Sequence, residues 1–197
     1  RIQLNGNFIL GAAIGDKRSC EAYCAEKVKT AGRLLTELGA LEDPQVALRL
    51  MRNCAGACKV THSMRMTPSH LQSEAMAGFD SRVRSAFSEI TGLLPDNAHW
   101  AQACRGTKHA GVDLRSASLH STPAYLASSC ASRDLCNILT NFALEADNHA
   151  SNFGLTLAAF NSLLPDEKKI SPGNVASHRQ RALSQLLGHE TRLANTC

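Results

Sequence analysis

Asp43–Pro68, DPQVALRLMRNCAGACKVTHSMRMTP, is the stretch whose reading decides the fold. Asp43 suits a helix cap, Pro44 suits the first helical position, and Thr67-Pro68 stops one helix and starts the next, so the punctuation predicts a single helix. Ala47, Leu50, Met51, Cys54, Cys58 and Thr61 recur at helical spacing and predict one buried stripe. Arg49, Arg52 and Lys59 stand at i, i+3 and i+10 on the other side, and Arg65 extends them at the helix end. No carboxylate occurs from Gln45 to Ser73, so nothing local offsets this basic face. Such a face suits phosphates along a duplex, where cations position the backbone without reading its sequence. A merely solvated face is the competing reading.

Outward from this stretch the chain reads as helices. Asp16 to Ser19 should start a long helix that buries Cys24, Val28, Ala31, Leu35 and Leu38 and ends at Gly39. After Thr67 a third helix runs from Pro68 to about Ile90, with Leu71, Ala75, Phe79, Val83, Phe87 and Ile90 inward and Gly92 at its end. Short connections make the three a bundle of antiparallel neighbours. Before it, Arg1 to Ile9 holds the convincing β signal, a hairpin or edge strand around Asn5-Gly6. Downstream, Asp96 should cap a short helix with Trp100, Arg105 to Gly111 is an irregular polar loop, and Thr122-Pro123 should cap another helix. Further helices are expected at about Asp134 to Asp147, Phe153 to Leu164 and Asn174 to Leu193, with Pro165 to Gly173 as a linker. The fold class is all-α: residues 1–15 form a strand segment, 16–92 a three-helix bundle, 93–164 a helical connection and 165–197 a linker with a C-terminal helix.

A chain of 197 residues with 5% aromatics buries a core of Leu, Ala, Val, Ile and Met, which favours packed helices over a β-sandwich. The formal charge of +4 permits nucleic-acid contact without requiring it. No run approaches the roughly 18 apolar residues of a membrane span and no signal peptide is visible, so an intracellular setting, nucleus or cytoplasm, is expected. The start at Arg1 and the end at Cys197 suggest a piece of a longer polypeptide. The eight cysteines fall on apolar stripes and read as small buried hydrophobes. The spacing of Cys20 with Cys24, and of Cys54 and Cys58 with His62, leaves a zinc site as an alternative. No phosphate-binding glycine loop, zinc-protease helix, nucleophile elbow or pair of strand aspartates occurs, so no catalytic residue, metal or cofactor is assigned.

Several ordered segments carry a resemblance. Phe8–Gly15, FILGAAIG, is similar to the LLGAPIG segment that follows the catalytic palm in non-LTR (LINE-type) retrotransposon reverse transcriptases, with Ala13 in place of the proline. LEDPQ at 41–45, MRMTP at 64–68, Phe79-Asp80, WAQA at 100–103 and PAYLAS at 123–128 resemble, in the same order, the region downstream of it. At KHAGVDL, 108–114, the family has a GGLGL pattern of which Gly111 and Leu114 remain. The resemblance implies that Leu10, Gly11 and Gly15 belong to the primer grip and that residues 16–92 are the thumb. It further implies that the rest connects to a C-terminal nuclease or zinc-knuckle part, and that the palm aspartates precede Arg1. The implied partners are an RNA/DNA primer–template duplex and the remainder of the polyprotein, with no polymerase activity in this piece alone. A helical protein-interaction module without a nucleic-acid role is the alternative.

Overall fold

The computed structural model describes residues 7–140, 151–175 and 180–194. These form an all-α fold preceded by one short hairpin, β1 (Asn7–Ile9) with β2 (Ala12–Ile14), in the antiparallel register Phe8↔Ala13. Its turn is Leu10-Gly11; the expected turn at Asn5-Gly6 lies outside the described residues. Both turn residues have positive φ, 51° and 80°, as a type I′ hairpin turn requires. That conformation is uncommon for leucine. The tip is held from outside it: Tyr23 Oη donates to Gly11 O at 3.0 Å, and His62 Nε2 donates to Leu10 O at 3.0 Å.

The chain divides into two compact units, residues 1–63 with 71–118 and residues 64–70 with 119–197. The boundaries fall at 63/64, 70/71 and 118/119, the last inside a helix.

In the first unit α1 (Lys17–Gly39) starts where expected, with the Asp16 carboxylate accepting from Ser19 N at 2.8 Å. It packs on α4 (Ser73–Thr91) through Cys24, Val28, Leu35 and Leu38 against Ala75, Phe79, Val83 and Phe87. Glu21 accepts from Ala75 N, Gly32 faces Arg82 and Gly39 faces Glu89, so the two helices run parallel. The third helix begins later than predicted. A 3₁₀ turn at Ser69–Leu71 precedes it, and Gln72 rather than Thr67 stands at its start. Gln72 is fully buried, donating from Nε2 to Ser63 O at 3.0 Å and accepting from the Cys24 thiol at 3.4 Å. Gly92 ends α4 with φ 70°.

The middle helix is not one helix. Between α1 and α4 the chain forms α2 (Pro44–Leu50), a π-helical turn (Met51–Ala55), a 3₁₀ turn (Ala57–Lys59) and α3 (Thr61–Met66). Gly56 breaks it, with ψ −147°, and a Cβ there would stand 3.0 Å from Met51 O. Asn53, Cys54, Gly56 and Cys58 all rank low in helix propensity, so local preference gives little resistance to the break. Of the three long helices expected in 16–92, two are present.

Beyond α4, α5 (Asn97–Ala103) is capped by Asp96 as predicted, with His99 N 2.8 Å from its carboxylate. Trp100 packs on Phe87, ring centroids 5.8 Å apart, with the Arg84 guanidinium 5.9 Å from the indole centroid. Residues 104–114 fold back on the end of α5: Val112 N bonds Ala103 O at 3.0 Å, and Asp113 N bonds Arg105 O at 2.8 Å. Then α6 (Ala117–Thr140) begins, with Pro123 inside it and not at its cap. The cap comes from α4: the Asp80 carboxylate accepts from Ala117 N at 2.6 Å, Ser118 N at 3.1 Å and Ser116 Oγ at 2.7 Å. The expected helix at 134–147 is the continuation of α6 as far as 140, and the rest lies outside the described residues.

The second unit has its own core of Leu126, Leu157, Phe160, Leu164, Ile170, Val175, Leu183 and Leu187. Its helices are most of α6, α7 (Asn152–Asn161), α8 (Pro172–Val175) and α9 (Gln180–Ala194); of the helix expected from 174 to 193, residues 176–179 lie outside the described residues. The expected linker at 165–173 contributes Ile170 to this core. Asn161 clasps Ile170 at two points, Oδ1 accepting from its N–H and Nδ2 donating to its carbonyl, both at 2.9 Å. Among the described residues no helix is long and apolar enough to cross a membrane.

Candidate functional site

The break at Gly56 decides how the basic stretch is displayed. Asp43 fixes its start, accepting from Gln45 N at 2.9 Å and Val46 N at 3.2 Å. Ala47, Met51 and Ala55 then face the core and Arg49 and Arg52 face solvent, as helical spacing requires. The π turn and Gly56 shift the phase, and the buried positions resume at Val60 and Met64. Cys54 and Cys58, expected in the core, are exposed, and Leu50 is 37% exposed. Cys20 and Cys24 are buried. Burial holds the Cys24 thiol protonated, its pKa pushed up to about 11. Among the described residues no three His, Cys, Asp or Glu side chains gather as a metal set.

Lys59 is exposed, yet the repeat that placed it on the face of Arg49 and Arg52 no longer runs through Gly56. The side chains of Arg49, Arg52 and Lys59 make no ion pair or hydrogen bond among the described residues. Other cations do: Lys29 pairs with Glu26 at 3.7 Å and Lys169 with Asp166 at 2.5 Å. Arg65 differs from the three. It falls in the second unit, where Nε and Nη2 both donate to Gln180 Oε1, at 3.2 and 3.1 Å. Of the residues assigned to a primer grip, Leu10 and Gly11 are the hairpin tip and Gly15 is a bend with φ 151° just before α1.

Next to Arg52 lies a pocket of about 260 Å³ that sequence spacing did not indicate. Arg52, Cys58 and Thr61 form one side of its lining, Val83 comes from α4, and Asp113 and Arg115 come from the segment before α6. Asp113 holds a left-handed conformation, φ 62°, which Asp tolerates better than most residues. Its carboxylate accepts from Arg115 Nε at 3.2 Å. In the sequence the neighbouring stretch at 105–111 reads as an irregular polar loop, with no sign of the pocket.

Comparison with protein-family models, with characterised proteins and with solved structures finds no match.

Proposed function

We propose that this chain is a non-catalytic, nucleic-acid-holding segment, the thumb and connection region of a LINE-type reverse transcriptase, in which Arg49, Arg52 and Lys59 contact the phosphates of a primer–template duplex. The observation that carries the reading is that all three cations are exposed and, among the described residues, unpaired, in a stretch from which carboxylates are missing. The ordered sequence resemblance supports it independently, and it assigns no catalytic residue, metal or cofactor to these 197 residues. Arg65, taken up by Gln180, is the weakest member of the original set.

The test is duplex binding against salt. Each neutralised phosphate contributes about 0.9 to the slope of log K against log salt on B-form DNA, so the triple alanine variant should bind more weakly, with a slope flatter by two to three. Equal affinity and slope would refute the assignment.

A second reading, a protein-interaction module, has one observation in its favour. Leu135, Ile138 and Leu139 lie at i, i+3 and i+4 of α6, and all three are more than half exposed. It predicts self-association by light scattering, abolished by serine at these positions, in a chain that ignores the duplex.

A further inference from the structure

The pocket beside Arg52 combines two arginines with one carboxylate already in use. We propose that it seats a single phosphodiester, gripped by Arg52 and Arg115, and is the anchoring point of the basic stretch on a nucleic-acid backbone. This rests on the nucleic-acid reading above and adds a residue, Arg115, from a part of the chain that reading did not use.

Charge and geometry both point this way. The charged side chains of the lining are Arg52, Arg115 and Asp113, which sum to +1 and so complement the single negative charge of a diester. A terminal phosphate carries about −1.5 to −2 at neutral pH and would be under-compensated. Asp113 takes the Nε–H of Arg115, which fixes the guanidinium plane and leaves the terminal Nη donors for a tetrahedral anion. Among the described residues Arg52 has no hydrogen-bond or ion-pair partner to give up. Thr61 has its hydroxyl hydrogen committed to Ala57 O at 2.9 Å, so it adds an uncharged wall. At about 260 Å³ the space lies just under the usual 300–1,000 Å³ of small-molecule sites, enough for a phosphate group and short of a whole nucleotide.

The experiment titrates a fluorescent primer–template duplex with the full chain at several salt concentrations, using wild type, Arg115→Ala, Arg115→Lys and Asp113→Asn. Arg115→Ala should flatten the slope by about 0.9 and weaken binding at least several-fold. Arg115→Lys should keep the slope and lose affinity, because the charge stays and the fork goes. Asp113→Asn should bind more tightly, since Asn accepts the left-handed conformation and still offers Arg115 an oxygen while the local charge rises to +2. Circular dichroism at matched concentration shows that each variant keeps its helices, and the lysine and asparagine variants decide the matter if alanine does not. Wild type without salt-dependent binding overturns the nucleic-acid reading and the pocket with it. Wild-type binding weakened by the Arg49, Arg52 and Lys59 alanines but indifferent to Arg115→Ala and Asp113→Asn overturns the pocket alone. At matched ionic strength a dinucleotide with one diester should displace the duplex better than inorganic phosphate; equal displacement would overturn the diester assignment.

Discussion

Replacing Asp80 by alanine removes the acceptor that starts α6. Three donors converge on this carboxylate: Ala117 N at 2.6 Å, Ser118 N at 3.1 Å and Ser116 Oγ at 2.7 Å. Loss of an ordinary helix cap costs about 0.5–2 kcal/mol, and a hydrogen bond to a charged group contributes about 1.5–3 kcal/mol. Asp80 is only half-buried, so water takes over part of the released hydrogen bonding, and we expect a net loss of about 2–3 kcal/mol. Asparagine keeps one acceptor oxygen and points an amide N–H₂ at the remaining donors, so about half of that loss should remain. Urea denaturation of the full chain, followed by circular dichroism, reads the difference as a lower midpoint at unchanged m. In a chain of 197 residues 1 kcal/mol moves the melting temperature by about 2–4 °C, so Asp80→Ala should melt about 4–12 °C lower. A midpoint within 0.5 kcal/mol of wild type, by the usual spread of about ±0.5 for surface substitutions, would show that the remote cap contributes nothing. An asparagine variant as damaging as alanine would show that the carboxylate charge, and not its acceptor geometry, sets the effect.

Two further outcomes follow from the loop and the buried thiols. In Gly111→Ala the new Cβ would meet the Arg105 carbonyl and stand 2.7 Å from Gln102 O. Both are backbone, so the fold-back at 104–114 must open at a cost near the upper end of the about 1–3 kcal/mol seen for overpacking, and an unchanged urea midpoint would refute it. Cys24 is neutral in both states below the ordinary thiol value of 9.0, and above it the unfolded chain ionises first while the folded thiol waits until about 11. Its contribution to stability is therefore complete below pH 9 and falls away between 9 and 11, a decline that thermal melts should show in wild type and show less in Cys24→Ala.

How much of this was legible in the sequence depends on whether the deciding interaction is local. Asp16, Asp43 and Asp96 bond backbone donors two or three residues ahead, and all three helix starts were readable. So were the all-α class and the buried faces of α1 and α4, which depend only on periodicity. The start of α6 was not. Its cap comes from Asp80, 36 residues before Ser116, and without it Thr122-Pro123 looked like the beginning. Polar composition made 165–173 look like a linker, while the fact that decides it is the clasp of Asn161 on Ile170. The candidate site divides in the same way. Arg49 and Arg52 were visible from spacing, whereas Arg115 and Asp113 reach the pocket only through the fold-back after α5.

The interval from Ala55 to Val60 has a consequence for how this chain tolerates change. The buried positions Ala47, Met51, Ala55, Val60 and Met64 advance by four, four, five and four, so one residue more than a regular helix would use is spent there. One residue of helix corresponds to a rotation of about 100°. The interval thus acts as a phase shifter between two short helices, and its length matters more than its letters. Exchanging Cys54 or Cys58 for another small residue leaves the phase untouched. Deleting one residue between Ala55 and Val60 restores the spacing of four that a continuous helix uses, so Val60 and Met64 would stay on the stripe of Ala47, Met51 and Ala55 while the break that separates α2 from α3 is lost.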